Sequence, residues 1–125
     1  MPALEYTLRN LPVEGNEFFV SFESSNLTGS ADLVAGQIGK SHYVTEIYIV
    51  TGTIMRVDIG SGTSSGSVVT RHISFNATIG GSYFYWRTPN GKALKFNSGA
   101  SVGVDTNAIG YIWLEVRGKT CWDSF

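Results

Sequence analysis

Alternation of apolar and polar residues, the pattern of β-strands, runs through most of this chain. Its longest β-rich run is His42–Thr51. Alternation predicts one face made by Tyr43, Thr45, Ile47 and Ile49, and an opposite face made by Val44, Glu46, Tyr48 and Val50. Because both faces carry apolar side chains, we predict a central strand that is covered on both sides. Asn107–Val116 shows the same two-sided pattern and is expected to form the last strand.

Shorter runs between turn signals predict the remaining strands. These are a weak one within Glu5–Leu11 and stronger ones at Glu17–Glu23, Leu33–Ala35, Ile54–Ile59, Val68–Phe75, Ser82–Trp86, Ala93–Phe96 and Val102–Val104. Ser24–Gly29 and the Gly- and Ser-rich residues 60–67 are predicted as loops, and Pro89–Gly91 as a tight turn. Roughly eight to ten short strands predict an all-β fold, a two-sheet β-sandwich that is jelly-roll-like, with an immunoglobulin-like sandwich as the alternative.

A length of 125 residues predicts a single domain. We divide it into an N-terminal arm (1–16), a β-sandwich domain (17–118) and a C-terminal tail (119–125). The net charge is −1 and the basic residues are scattered, so no nucleic-acid partner is expected. No apolar run approaches the roughly 20 residues that a membrane-spanning helix needs, so no membrane partner is expected either.

The cysteine count and the N-terminal segment both argue against a secreted protein. The chain has one cysteine, Cys121, which excludes an intrachain disulfide. The N-terminal segment Met1–Glu5 has no basic region followed by an apolar core, so we see no signal peptide. We therefore expect the chain to be made and folded in a cytoplasm.

The residue types that support catalysis or metal binding do not converge in the sequence. His42 and His72 each stand alone inside a predicted strand, where a packed, structural role is expected. Cys121 has no neighbouring histidine to activate it, and the Gly-rich residues 60–66 precede a strand and lack the lysine of a phosphate-binding loop. We therefore predict no enzyme activity, no metal and no cofactor.

Four consecutive aromatic residues, Tyr83–Trp86, are the most unusual feature of the chain. They fit a strand with aromatic residues on both faces, one set in the core, and that interpretation is favoured. They also fit an exposed platform for a sugar or a partner chain, and both hold if Tyr83 and Tyr85 face outward. The C-terminal tail adds two more aromatic residues. The candidate partner-binding residues are Tyr83, Tyr85, Trp86, Trp122 and Phe125.

Three sequence blocks, taken in order, carry a resemblance to a known family. They are Ala35–Lys40 before the strand that ends in Val50–Gly52, then Val57–Thr63, then Thr88–Phe96 followed by Gly110–Val116. In order and spacing they resemble a group of small virion structural proteins of tailed bacteriophages. The likeness spans residues 29–116. His42 departs from it, because the group more often has an aliphatic residue at that position.

The resemblance implies a jelly-roll sandwich, usually trimeric, on the outside of a virion and without catalytic residues. Our first hypothesis is a capsid decoration (cement) protein that bridges subunits of the major capsid protein as a homotrimer. The alternatives are a tail-fibre or receptor-binding domain that recognises a host glycan, and a carbohydrate-binding module. The tail with Trp122 and Phe125 is expected either to dock on a partner or to be buried in its own domain.

Overall fold

The computed structural model describes residues 4–27, 29–62 and 68–123, and these residues form strands and no helix. In chain order the strands are β1 (Leu8–Asn10), β2 (Asn16–Leu27), β3 (Ser30–Val34), β4 (Lys40–Thr51), β5 (Met55–Gly62), β6 (Val68–Ala77), β7 (Ser82–Arg87), β8 (Lys92–Lys95), β9 (Ser101–Thr106) and β10 (Gly110–Trp122). In this part of the chain there is accordingly no helix long and apolar enough to cross a membrane.

The strands pair along the path of one long hairpin that has been rolled up. β5 and β6 form its tip, β4 pairs with β7 and β8, β3 with β9, and β2 with β10. Rolling brings β10 against β4 and β9 against β5. One sheet has the order β1-β8-β4-β10-β2, with β7 also on β4, and the other has the order β3-β9-β5-β6. This nested antiparallel order confirms the predicted jelly-roll sandwich.

The hydrophobic core lies between the two sheets. The larger sheet contributes Val44, Ile47, Ile49, Leu94, Ile112, Leu114 and Val116, and the smaller one Met55, Val57, Ile59, Val102 and Val104. All of these side chains are buried. Burial of each contributes about 1.5–3 kcal/mol to folding. Met55, Val57 and Ile59 therefore share the inner face of β5, as alternation predicts.

A β-bulge in β4 changes the faces that simple alternation predicts. Glu46 pairs with Arg117 and Val44 with Gly118, so Thr45 is an extra residue on the β4 side. Its carbonyl accepts the Thr88 N–H at 2.9 Å. The bulge reverses the alternation, and both Val44 and Ile47 are fully buried in the core. The assignment of these two residues to opposite faces was therefore wrong.

Three strands continue into segments predicted as a loop or as the tail. β2 continues to Leu27 through residues predicted as a loop, and β5 continues to Gly62; residues 63–67 of that second loop lie outside the described residues. β10 runs past Val116 to Trp122, through the first part of the predicted tail. Gly118 lies within β10 and does not end the strand. A Cβ at this position would come within 2.2 Å of the Tyr43 carbonyl oxygen. Close packing against β4 explains this glycine.

The N-terminal segment connects the two sheets at one side of the sandwich. The Glu5 N–H donates to the Arg71 carbonyl of β6 at 2.7 Å. Farther along, β1 pairs antiparallel with β8 in the other sheet, with Leu8 opposite Leu94. The segment therefore covers the edge of β8 and contacts β6 at Arg71.

Two histidines, His42 and His72, are buried and use both ring nitrogens in hydrogen bonds. His72 Nδ1 donates to the Glu5 carbonyl at 2.7 Å, and its Nε2 accepts from the Ser61 hydroxyl at 2.8 Å. His42 Nε2 donates to the Ala35 carbonyl at 2.8 Å, and its Nδ1 accepts from the Thr120 hydroxyl at 2.7 Å. A carbonyl can only accept, so the ring nitrogen beside it carries the hydrogen. Burial lowers the pKa of both histidines and so favours the neutral ring, whose other nitrogen accepts from the hydroxyl. The two imidazoles therefore act as neutral cross-links within the fold.

Acid should destabilise the protein through these two histidines. Burial lowers the pKa of His42 and of His72 below 6.5, although a hydrogen bond to a carbonyl opposes the effect in each case. Below pH 6.5 the unfolded chain binds protons that the folded chain excludes, so stability is lost as the pH falls toward the folded-state pKa values. We expect the melting temperature to fall between pH 7 and 5, and to fall less steeply in His72→Gln. A melting temperature that is constant over this range would contradict the assignment.

Deletion of residues 119–125 should unfold the domain. Lys119 and Thr120 pair with β2, Thr120–Trp122 pair with β4, and Cys121 is buried. The matched control is Trp122→Ala. Its side chain is 57% exposed, with the Lys40 ammonium 4.4 Å from the ring centroid, so we expect a loss of about 1 kcal/mol or less. Thermal denaturation followed by circular dichroism measures both. A truncated chain that melts like the full-length protein would show that these residues serve a partner instead.

Candidate partner-binding face

Aromatic side chains gather on the outer face of the larger sheet, where β7, β4 and β10 lie side by side. Tyr85 stands opposite Tyr48, and Tyr83 stands opposite Val50. On the other side of β4, Trp113 also stands opposite Val50. Opposite residues of antiparallel strands point to the same face and their side chains touch. We call Tyr48, Tyr83, Tyr85 and Trp113 the aromatic patch.

Tyr48 is the centre of the aromatic patch. Its ring centroid lies 6.3 Å from that of Tyr83, and the two planes are 13° from parallel. The Tyr85 centroid is 6.1 Å away, and the Trp113 centroid is 5.3 Å away in an edge-on arrangement. Such spacings stabilise aromatic pairs. Tyr83 is nevertheless 70% exposed and Tyr85 50% exposed, so the patch is held in place and still open to a partner.

Carboxylates fix the phenol groups at the border of the aromatic patch. The Tyr85 hydroxyl donates to Glu46 Oε2 at 2.6 Å, and the Tyr111 hydroxyl donates to Glu23 Oε2 at 2.7 Å. Each hydrogen bond to a carboxylate raises the pKa of its tyrosine, because it favours the neutral phenol. Arg117 Nε lies 3.7 Å from Glu46 Oε1. The border therefore presents both charges in defined positions beside exposed rings.

The four consecutive aromatic residues divide between the two faces of β7. Tyr83 and Tyr85 point outward, and Phe84 and Trp86 pack inward against the core cluster. The Phe84 ring stacks on Phe75 at 5.2 Å. The Trp86 indole N–H donates to the Tyr6 hydroxyl at 3.1 Å. The segment therefore carries aromatic residues on both faces, one set against the core, and Trp86 lies on the face away from the aromatic patch.

The two candidate residues of the tail are not part of the patch. Trp122 lies at the far end of β10, opposite Lys40, and its ring also packs near Gly39. Phe125 lies outside the described residues. Sequence reasoning had missed Trp113 and Tyr48 as members of the patch. The pattern put Tyr48 on a β4 face with Glu46, but the register that brings Tyr83, Tyr85 and Trp113 against it is not encoded in any local motif.

The surface beside the patch is polar and shallow. A groove of 520 Å³ follows the β4 bulge and is lined by Glu46, Arg87, Thr88, Lys92 and Arg117, among others. Among the residues that the structure describes, no three His, Cys, Asp or Glu side chains come close enough together to hold a metal ion. Aromatic residues surrounded by a polar rim are typical of protein interfaces, and this face has both.

Comparison with known proteins shows the fold. No protein-family model matches the chain, and no curated protein matches its sequence. Among solved structures, it is similar to a chain of the acidic stable capsid structure of Helicobacter pylori bacteriophage KHP30. The identity is 11%, the match covers 95% of this chain and 100% of that chain, and the TM-score is 0.52. This similarity shows a shared fold over the full length of the phage chain.

Two weaker similarities were also found. One is to a chain of Bacillus endospore appendages, described as a novel family of disulfide-linked pili, with 15% identity, coverage of 85% and 90%, and a TM-score of 0.42. The other is to the coat protein of tobacco streak virus, with 9% identity, coverage of 87% and 90%, and a TM-score of 0.31. At these scores neither similarity informs the function of this chain.

Proposed function

We propose that this protein is a capsid decoration protein, which binds the outside of a virion and bridges subunits of the major capsid protein. The observation that carries the proposal is the aromatic patch on the free face of a small jelly roll. The sequence resemblance to small virion proteins supports it. So does the fold shared over full length with a chain of a bacteriophage capsid structure.

The patch supplies the binding free energy in this proposal. Burying a large side chain such as Tyr83 or Tyr85 contributes about 1.5–3 kcal/mol, and such aromatic residues dominate the energetics of most interfaces. Because Tyr48 and the carboxylates already hold the rings, little side-chain entropy is lost on docking. Fixed charges at the border then select the orientation. A shell bound in this way must break these contacts before its subunits can separate.

The residues that could serve catalysis have structural roles instead, and this supports a non-enzymatic protein. Both ring nitrogens of His42 and of His72 are engaged within the fold. The thiol of Cys121 is buried, and burial raises its pKa and so disfavours the reactive thiolate. The proposal therefore rests on binding alone.

One observation favours a second candidate function, recognition of a glycan by a tail-fibre, receptor-binding or carbohydrate-binding domain. The exposed Tyr83 ring lies beside the hydrogen-bonded pair Tyr85 and Glu46. A ring face next to a fixed carboxylate can stack on a sugar and accept its hydroxyl hydrogens. Binding on a glycan array that is lost in Tyr83→Ser would favour this function.

Purified protein should restore the stability of virions that lack it. We expect particles assembled without this chain to rupture at a lower temperature, and added wild-type protein to raise that temperature. The double variant Tyr83→Ser/Tyr85→Ser should bind at least tenfold more weakly, because it removes the exposed rings. Its own melting temperature should change little, since both rings are at least half exposed. Co-sedimentation and a thermal release assay for the packaged genome measure these effects.

The matched control is Val69→Ser, which removes an exposed apolar side chain from β6 in the other sheet. It should bind particles like the wild type. Quantitative mass spectrometry of intact virions adds an independent test. Hundreds of copies per virion are expected of a decoration protein. Tens of copies or fewer, with no effect on the rupture temperature, would reject the decoration function and favour a tail-fibre domain.

A further inference from the structure

The larger sheet leaves a long strand edge open. The N-terminal segment pairs with β8 and meets β6 at Arg71, and β3 is only 5 residues long. Among the described residues β7 pairs with β4 alone, but it has only 6 residues. β2 is 12 residues long and pairs with β10 on one side. Between Glu17 and Glu23, its backbone groups that face away from β10 have no strand partner among the described residues. Such an edge is a template for another strand.

β2 lacks the features that usually protect an edge. Its inner face carries Phe18, Val20 and Phe22, which are partly exposed although they pack against the core. There is no proline and no inward charge between Glu17 and Glu23. A register shift with β10 marks a bulge near residues 25–26, but it lies toward the end of the strand. The regular part, residues 16–24, is long enough for a stable pairing.

We propose that β2 pairs antiparallel with β2 of a second copy, about a two-fold axis at Ser21. Facing residues must point to the same side of the sheet, so the axis has to pass through a residue. An axis at Val20 would set Glu17 against the partner's Glu23, and like charges repel. An axis at Phe19 would set Glu23 against the partner's Gly15, which lies outside β2. The Ser21 axis avoids both problems.

Charge complementarity supports the Ser21 axis. It places the partner's Glu23 opposite Phe19, and the Arg117 guanidinium lies 4.4 Å from the centroid of the Phe19 ring. Arg117 has a 56% exposed side chain, and its contact with Glu46 is at 3.7 Å, so it can reach a second carboxylate. By symmetry this ion pair forms twice. On the inner face, Val20 lies opposite the partner's Phe22, so the pairing buries these partly exposed apolar side chains further.

The pairing also explains how one small protein could bridge two shell subunits, a step that rests on the proposed function. An antiparallel two-fold pair joins the larger sheets into one continuous sheet, whose outer faces point the same way. Both aromatic patches then lie on one surface. Linking two binding faces raises the apparent affinity well above that of either alone. The assembly is a dimer, in contrast to the trimer that the resemblance implies.

Cysteine cross-linking tests the axis directly. Opposite Cα atoms lie about 4.5–5.5 Å apart, a distance that a disulfide spans. Under mild oxidation Ser21→Cys should give a disulfide-linked dimer in high yield. Phe19→Cys and Glu23→Cys should each remain mostly uncrosslinked alone and should cross-link when mixed. Wild-type protein, in which Cys121 is buried, gives the background level of cross-linking. Efficient cross-linking of Phe19→Cys alone, or none for Ser21→Cys, would overturn the Ser21 axis.

Mass measurement in solution tests the dimer without any virion, so it is independent of the proposed function. Light scattering should give twice the chain mass of 13.6 kDa. Arg117→Glu should weaken the dimer several-fold, and adding Glu23→Arg to it should restore the affinity by swapping the charges. The melting temperatures of the variants control for folding. A wild-type mass of one or three chains at high micromolar concentration would contradict the proposal.

Discussion

The pairing of β10 with β4 is the contact on which the rest of this structure depends. β10 lies between β4 and β2 in the larger sheet, so it connects the centre of the sheet to its open edge. The two strands come together closely because Gly118 has no side chain to meet the Tyr43 carbonyl. The same pairing places Trp113 next to Tyr48 and ties His42 to Thr120. The aromatic patch, part of the core and one of the two buried histidine contacts therefore depend on this pairing.

Alternation alone predicted much of the fold, and it succeeded where strands are regular. It predicted aromatic residues on both faces of β7 with one set in the core, and it put Met55, Val57 and Ile59 on one face of β5, which the structure shows to be the inner face. The jelly-roll sandwich was predicted from the number of short strands and their turn signals, and the family resemblance implied the same fold. Alternation failed where packing changes the local rule. Thr45 forms a β-bulge, which reverses the faces of β4 beyond it. The predicted β-sandwich domain ended at Gly118, but this residue lies within β10, where its lack of a side chain allows close packing against β4.

The aromatic patch could be predicted only in part for a similar reason. Tyr83 and Tyr85 are adjacent along one strand, so their outward positions follow from sequence. Tyr48 and Trp113 come from two other strands. Tyr48 lies 35 residues before Tyr83, and Trp113 lies 28 residues after Tyr85. Their membership depends on register, which is set by long-range pairing and by the bulge. Trp122 and Trp86 looked equivalent to the tyrosines by composition, yet the sheet directs them elsewhere.

These features together describe a rigid sheet that presents ordered rings on one face and an open strand at one edge. The central claim is that the aromatic face binds a capsid shell. An electron cryo-microscopy reconstruction of the virion that carries this chain tests it most directly. Our account predicts jelly-roll densities on the outer surface of the shell, with β7, β4 and β10 turned toward the major capsid protein. Densities whose aromatic face points into solvent, or a chain confined to the tail, would contradict it.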